Sequence, residues 1–311
     1  MSNSCKDNSP MSDNHNYQAI KKQIEPINPQ SDLIPQQADN DEQLIELWIY
    51  GRSRHTQRAY NRDISEFLCW IDKSIRNITL SDLQKYFEHL TEKNLSIGSI
   101  RRTLACIKSL FAFAHKIGYL QFDVGRVLKI PASTTQLAQR ILSQKEVQEI
   151  IVSVGNIRNR LIVKTLYYTG IRISELVALK WKDFQYRDEG GQMTILGKGN
   201  KTNVILVPEH LWEDLLLLRS CYLDESPVFR SRKGGHLDPV YVARLVKKLS
   251  SKIIGKPVTP HWFRHSHASH ALDNGCPIHL VQKQLNHSSI ATTGRYLHAR
   301  PTESSSKYLK S

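Results

Sequence analysis

The sequence predicts a mainly α-helical protein of two domains, the second carrying a small β-hairpin among its helices. Three observations point there. Apolar residues recur at helical spacing through residues 41–130, a polar stretch poor in large apolar residues follows at 131–139, and a single pair of β-branched runs around a Gly-Asn turn interrupts the later helices. At 311 residues with 40% hydrophobic content, the chain has enough for two cores, since domains average about 100–200 residues.

Residues 1–40 are rich in Asn, Ser, Gln, Asp and Pro, lack apolar periodicity and read as a disordered tail. Order is expected from Asp41, where DEQLIELWIY sets Leu44, Leu47 and Trp48 on one helical face. RHTQRAYNRDISEFLCWI then aligns Tyr60, Ile64, Phe67, Leu68 and Ile71 in a second stripe. A third helix begins in TLSDLQKYFEHL, with Ser81 the expected N-cap just before the acidic Asp82. The fourth, SIGSIRRTLACIKSLFAFAHKIGYL, spaces Ile100, Leu104, Ile107, Leu110 and Phe111 for burial, and Gly118 suits its end. Cys69 and Cys106 read as small buried apolar residues of these helices. The polar faces of this four-helix module are basic. Arg52, Arg54, Arg58 and Arg62 lie in one segment and Arg101, Arg102 and Lys108 in another, making them candidate DNA contacts.

After the linker at 131–139, residues 140–306 read as a second, mostly helical domain. Within it QMTILGKGNKTNVILVP is the hairpin, and residues 307–311 form a short tail.

Composition narrows the function. The chain holds 43 Lys+Arg against 29 Asp+Glu, a net charge of +14. Residues 1–40 carry three lysines and five acids, a net of −2, so the remainder carries +16. An excess placed in the folded part favours a polyanionic partner, a property shared by DNA-, RNA- and acidic-membrane-binding proteins. No apolar run approaches the roughly 18 residues of a membrane span. The N-terminus lacks the layout of a secretory signal, so a cytoplasmic location is expected. Five scattered cysteines without a CxxC pair argue against a disulfide framework or a zinc knuckle.

Four pieces of the second domain bear chemistry. In YYTGIRISELVALKW, Arg172 follows Gly170 in a turn, and Glu175, three residues on, is placed to hold its guanidinium by a charge-assisted bond. The hairpin tip Gly197-Lys198-Gly199-Asn200-Lys201 lets backbone approach a phosphate, with Lys198 placed as a proton donor and Lys201 beside it. In HWFR, His261 and Arg264 share a helix face and together suit a phosphate clamp. His265, His267 and His270 follow, but no Glu or Cys stands at ligand spacing, so packing or surface roles are expected and no metal. In QLNHSSIATTGRYLH, His287 and Tyr296 lie nine positions apart.

Taken together these pieces resemble the tyrosine recombinase, or phage integrase, family, in an Xer-like form. The family pattern is TGxRxSE, a GKGxK hairpin, HxxR, LGH and a Tyr nine residues later. This chain reads TGIRISE, GKGNK, HWFR, LNH and Tyr296 in that order over about 125 residues. The module at 41–130 is similar to the family's SAM-like core-binding domain. Asn286 stands where the family usually has Gly. Asn tolerates a left-handed backbone best after Gly, so a small local adjustment is expected.

The resemblance implies a metal- and ATP-independent DNA recombinase. Tyr296 would be the nucleophile forming a 3′-phosphotyrosyl link, with Arg172, Arg264 and His287 on the phosphate. Lys198 would protonate the 5′-oxygen and His261 act as general acid/base. It further implies four protomers, identical or of two kinds, on two double-stranded DNA sites, with the SSSKYLKS segment as a contact to a neighbour. The two domains account for most of the chain, so no arm-binding domain is expected in the first 40 residues. A DNA-binding regulator that retains the fold without catalysis has no need of the tyrosine. A type IB topoisomerase is distinguished by relaxing supercoiled DNA without a defined site.

Overall fold

The computed structural model describes residues 37–131, 137–196, 202–219, 223–287 and 289–297. Residues 1–36 of the expected tail, the hairpin tip with Lys198 and Lys201, and the C-terminal SSSKYLKS segment therefore lie outside the described residues, whereas residues 37–40 of that tail are ordered, with Ala38 buried and Asn40 capping the helix that begins at Asp41. The chain divides into two compact units, Met1–Ser133 and Thr134–Ser311.

In the first unit, α1 (Asp41–Ile49), α2 (Arg54–Ile71), α3 (Leu80–Glu92) and α4 (Ile97–Lys116) are followed by the single turn α5 (Val124–Val127). Each of the first four starts on a hydroxyl or amide side chain that accepts an otherwise orphaned N–H. The caps are Asn40, Ser53, Thr79 and Ser96. Ser81 is not the cap of α3. A capping box needs its acid three residues after the cap, and Asp82 meets that condition for Thr79, whose backbone N–H it accepts at 2.9 Å.

The helical stripes converge on one core. Leu44, Trp48, Ile64, Phe67, Ile107, Leu110 and Phe111 are buried, with Tyr60, Leu68 and Ile71 packed at its edge. Two expectations fail at the margins of the stripes. Leu47 is exposed, because the contact face of α1 runs through Leu44 and Trp48. Cys69 is exposed too, two residues past Phe67 on the opposite side of α2, whereas Cys106 is buried. Gly118 adopts φ +76° just past the end of α4, the left-handed turn that stops a helix.

The second unit opens with α6 (Gln144–Ser153), α7 (Ile157–Thr169) and α8 (Ile173–Ala178). An antiparallel sheet follows, ordered β1 (Phe184–Tyr186), β2 (Gly191–Leu196), β3 (Thr202–Val207). The hairpin reading holds for β2 and β3, which pair from Gly191↔Val207 to Leu196↔Thr202. Met193, Ile195, Ile205 and Val207 turn one face of the sheet into the helical core. The remaining helices are α9 (Glu209–Arg219), α10 (Pro239–Ile254), α11 (Pro260–Asp273), α12 (Ile278–Gln284) and α13 (Ile290–Gly294).

The main core gathers α6–α10, the sheet and Phe263 of α11. A smaller cluster joins Leu137 and Ile141 to Ala268, Val281, Leu285 and Tyr296. Among the described residues no helix is long and apolar enough to cross a membrane.

Candidate active site

The site is built where the ends of α7 and α12 meet the start of α11. Thr169 ends α7, and Gly170 leaves it at φ +64°. A Cβ at Gly170 would lie 2.7 Å from Leu285 Cδ2 and 2.9 Å from the His267 ring, so both the φ and the space require glycine. The turn delivers Arg172 to the start of α8. Glu175, itself buried, accepts the Arg172 backbone N–H at 2.7 Å through one oxygen and the guanidinium at 2.8 Å through the other. One carboxylate thus caps a helix and aims an arginine, as the three-residue spacing suggests.

Arg264 lies one turn into α11, a helix entered through Pro260 at a position where a missing N–H is tolerated. It is 5% exposed. Its guanidinium donates to the Gly170 carbonyl at 2.6 Å and to the Leu285 carbonyl. Each of those carbonyls belongs to a helix end, where no intrahelical donor remains. Burial and then Arg172 lower the Arg264 pKa to about 10, so it stays charged at neutral pH.

His261 shares its face of α11 but is solvent-exposed. Partial desolvation by its neighbours first, then Arg264 and Arg172, depress its pKa. His287 follows Asn286, whose φ of 48° ends α12 in the left-handed conformation expected of a glycine substitute. The His287 Nδ1 lies 2.8 Å from the hydroxyl of buried Thr293. Burial, Arg264 and Arg172 lower its pKa to about 4, so the ring is neutral at pH 7. The two arginines therefore act electrostatically on both histidines, with Glu175 the acid that offsets them at Arg264. Such a net-positive, partly dry cluster favours a bound anion.

Tyr296 follows α13 and is 6% exposed, packed into the smaller core cluster. Burial raises its pKa, while Arg264 and Arg295 pull in the opposite direction. Its hydroxyl lies 2.8 Å from Nδ1 of His265.

The other two histidines of HSHASH pack. His267 Nδ1 donates to the Tyr167 carbonyl at 2.8 Å, and His270 Nε2 donates to the Leu142 carbonyl at 2.9 Å. Among the described residues no cluster of His, Cys, Asp and Glu is arranged to hold a metal ion. Sequence reasoning missed four participants, namely His265, the Gly170 and Leu285 carbonyls under Arg264, and Thr293 under His287. Only the position of His265, one helical turn after His261, carried any signal.

In the first unit the candidate DNA contacts divide. Arg52 lies over the rings of Trp48 and Tyr60, at 5.2 and 5.0 Å from their centroids. Arg101 donates to the Pro131 carbonyl, Arg102 pairs with buried Asp63, and Lys108 donates to the Leu128 carbonyl at 2.6 Å. Arg62 touches Asp63 at 3.4 Å but keeps most of its side chain in solvent. Arg54 and Arg58 are exposed on α2.

Comparison with known proteins agrees with this layout. Residues 140–303 match the phage integrase family, and residues 42–118 match the phage integrase N-terminal SAM-like domain. The chain is 31% identical over 275 residues to tyrosine recombinase XerD of Halalkalibacterium halodurans, covering 81% of this chain and 89% of that protein. It is 33% identical over 273 residues to tyrosine recombinase XerA of Pyrococcus furiosus, covering 85% and 88%. In fold it is similar to XerH site-specific recombinase in a post-cleavage complex with palindromic difH substrate. The TM-score is 0.69 at 23% identity, over 88% of this chain and 85% of that one. A lambda integrase dimer bound to a COC′ core site is also similar, with a TM-score of 0.69 at 18% identity over 85% and 95%. Motif order, domain pair and curated relatives agree, and the chain belongs to the phage integrase family as an Xer-like tyrosine recombinase.

Proposed function

We propose that this protein cuts and rejoins double-stranded DNA at a specific site, with Tyr296 as nucleophile and no metal or ATP. The observation that carries the reading is that Arg172 and Arg264, each held by hydrogen bonds, act through charge on His261 and His287, with Tyr296 within the field of Arg264. A scissile phosphate supplies the missing negative charge. Arg172 and Arg264 take its non-bridging oxygens, and His287 donates alongside, so charge that grows in the pentavalent transition state meets fixed donors.

Tyr296 oxygen bonds to phosphorus in line, the phosphorus–O5′ bond breaks, the phenol gives up its proton, and Lys198 protonates the departing 5′-oxygen. His261 acts near the nucleophile as the general base that takes up the phenol proton, and as general acid returns it when the phosphotyrosyl ester is attacked. The 3′-phosphotyrosyl ester keeps the free energy of the phosphodiester, so a 5′-hydroxyl from another strand reverses the step and rejoins the DNA.

In this reading residues 41–130 clamp the duplex, 131–139 link the halves, and 140–306 carry out the chemistry. Four protomers, of one or two kinds, act on two sites in the cytoplasm. The names of the relatives support the activity, and their DNA-bound structures support the partner.

The test is a nicked suicide substrate carrying candidate sites. Wild-type protein is expected to give a protein–DNA adduct that survives denaturation. Tyr296→Phe should give none while DNA affinity stays within about twofold, because the phenol oxygen alone is removed. An adduct with the Phe variant would move the nucleophile elsewhere.

A further inference from the structure

His265 directly follows Arg264 on α11 and sits one turn beyond His261, the two imidazoles stacked at 6.4 Å between centroids. The Tyr296 hydroxyl is 2.8 Å from its Nδ1, with the rings 5.8 Å apart. The family motifs leave this residue without a role. Its surroundings fix its state. Burial above all, then His261, Arg140, Arg264 and Arg295, hold its pKa near 4. At neutral pH the ring is therefore uncharged. Tyr296, whose pKa is raised, still carries its proton.

A neutral imidazole has one bare nitrogen, and a phenol below its pKa has one proton to give. In the tautomer with the ring proton on Nε2, Tyr296 O–H donates to Nδ1 across the 2.8 Å contact. Donation fixes the phenol torsion and turns the oxygen lone pairs away from the imidazole, toward other neighbours. Burial of the tyrosine in the Leu137–Ile141–Leu285 cluster holds the ring plane, but nothing in that apolar contact orients the hydroxyl.

We infer that His265 is a positioning residue for the cleavage step, holding the Tyr296 hydroxyl by accepting its proton in a hydrogen bond at Nδ1. This rests on Tyr296 being the nucleophile. A misplacement of the attacking atom by about 1 Å slows reaction on the order of 100-fold. Losing the bond should therefore lower the single-turnover rate at saturating DNA by roughly 10- to 100-fold without changing DNA affinity.

Three substitutions test it on the full chain with the suicide substrate. His265→Phe keeps a ring and removes the acceptor. His265→Asn places an amide oxygen near the former Nδ1, and His265→Gln places one farther out, near the former Nε2. The expected order of adduct formation is wild type, then Asn, with Gln and Phe slowest. DNA dissociation constants should be equal throughout.

Phe forming adduct as fast as wild type, or faster, would overturn the inference. The faster result would mark the bond as a latch that restrains the nucleophile. Asn no better than Gln would overturn it too, and that comparison stands even where Phe perturbs folding. Tyr296→Phe run in parallel keeps the two readings apart. Its loss of adduct together with an unaffected His265→Phe sinks only the positioning role, whereas adduct from Tyr296→Phe sinks the nucleophile assignment itself.

Discussion

Arg264 and Asn286 show how much of the site depends on single backbone turns. Arg264 fills two orphan carbonyls, from Gly170 and Leu285, before any phosphate arrives. The Leu285 carbonyl is held in place by the turn at Asn286, with φ 48°, and the same turn delivers His287. A non-glycine residue in the left-handed region is destabilised by roughly 1–2 kcal/mol, with Asn among the least affected. Asn286→Gly should therefore change stability by no more than about 0.5 kcal/mol and keep adduct formation. Asn286→Val should destabilise by about 1–2 kcal/mol and slow the adduct, because the carbonyl under Arg264 and His287 shift together. Urea denaturation and the suicide-substrate rate check both halves, and a neutral Val would deny the turn its role. The left-handed turn was legible in the sequence, because an Asn in a glycine position has few other uses. The seat of Arg264 was not. It joins segments 94 and 21 residues away, through backbone oxygens that no side-chain pattern encodes. His265 was hidden differently. A histidine-rich helix face looks alike whether it packs, ligates or touches a tyrosine.

At the scale of the elements, helices were read from their period and misread at their ends. The buried stripes of α2 and α4 follow from apolar spacing alone, since each needs only one core-facing side. The three-residue β1 left no such signal, as a strand that short shows no alternation; it is held by pairing with β2 and by Phe184 packed into the main core. The start of α3 depends on reciprocal bonds rather than on residue type, which is why Thr79 rather than Ser81 caps it. Asp82 is also bonded to Lys73 at 2.8 Å. The Lys73 bond first, then the Thr79 backbone and side chain, lower the Asp82 pKa from an ordinary 3.8 to about 2. A carboxylate depressed on folding stabilises above its unfolded pKa and loses that contribution as pH falls through its folded one. The α3 start should therefore weaken between about pH 4 and about pH 2. Thr79→Ala should cost about 0.5–2 kcal/mol at neutral pH, seen as faster amide exchange across α3. Unchanged exchange in that variant would reassign the cap.

For the whole molecule, the net charge of +14 matters less than which cations are already engaged. Arg52, Arg101, Arg102 and Lys108 each have a partner within the first unit, so their charge serves the fold as well as any ligand. Arg54 and Arg58, one turn apart on α2, are exposed. Each cation that meets a phosphate releases condensed counterions, so log K falls with log salt by about 0.9 per contact on duplex DNA. Arg54→Ala and Arg58→Ala should each weaken binding by the same factor on specific and random DNA. Each should also reduce the salt slope by about 1, because a phosphate contact carries no sequence information. Arg52→Ala is expected to act mainly through packing. The stacked guanidinium stabilises the core edge by about 0.5–1 kcal/mol, so the variant should melt earlier while its salt slope changes less than that of Arg58→Ala. Affinity titrations of the full chain across a salt series separate the two kinds of arginine. Equal slope changes at Arg52 and Arg58 would mean that aromatic stacking leaves a cation available to the duplex. No slope change at Arg54 or Arg58 would take that face of α2 off the DNA altogether.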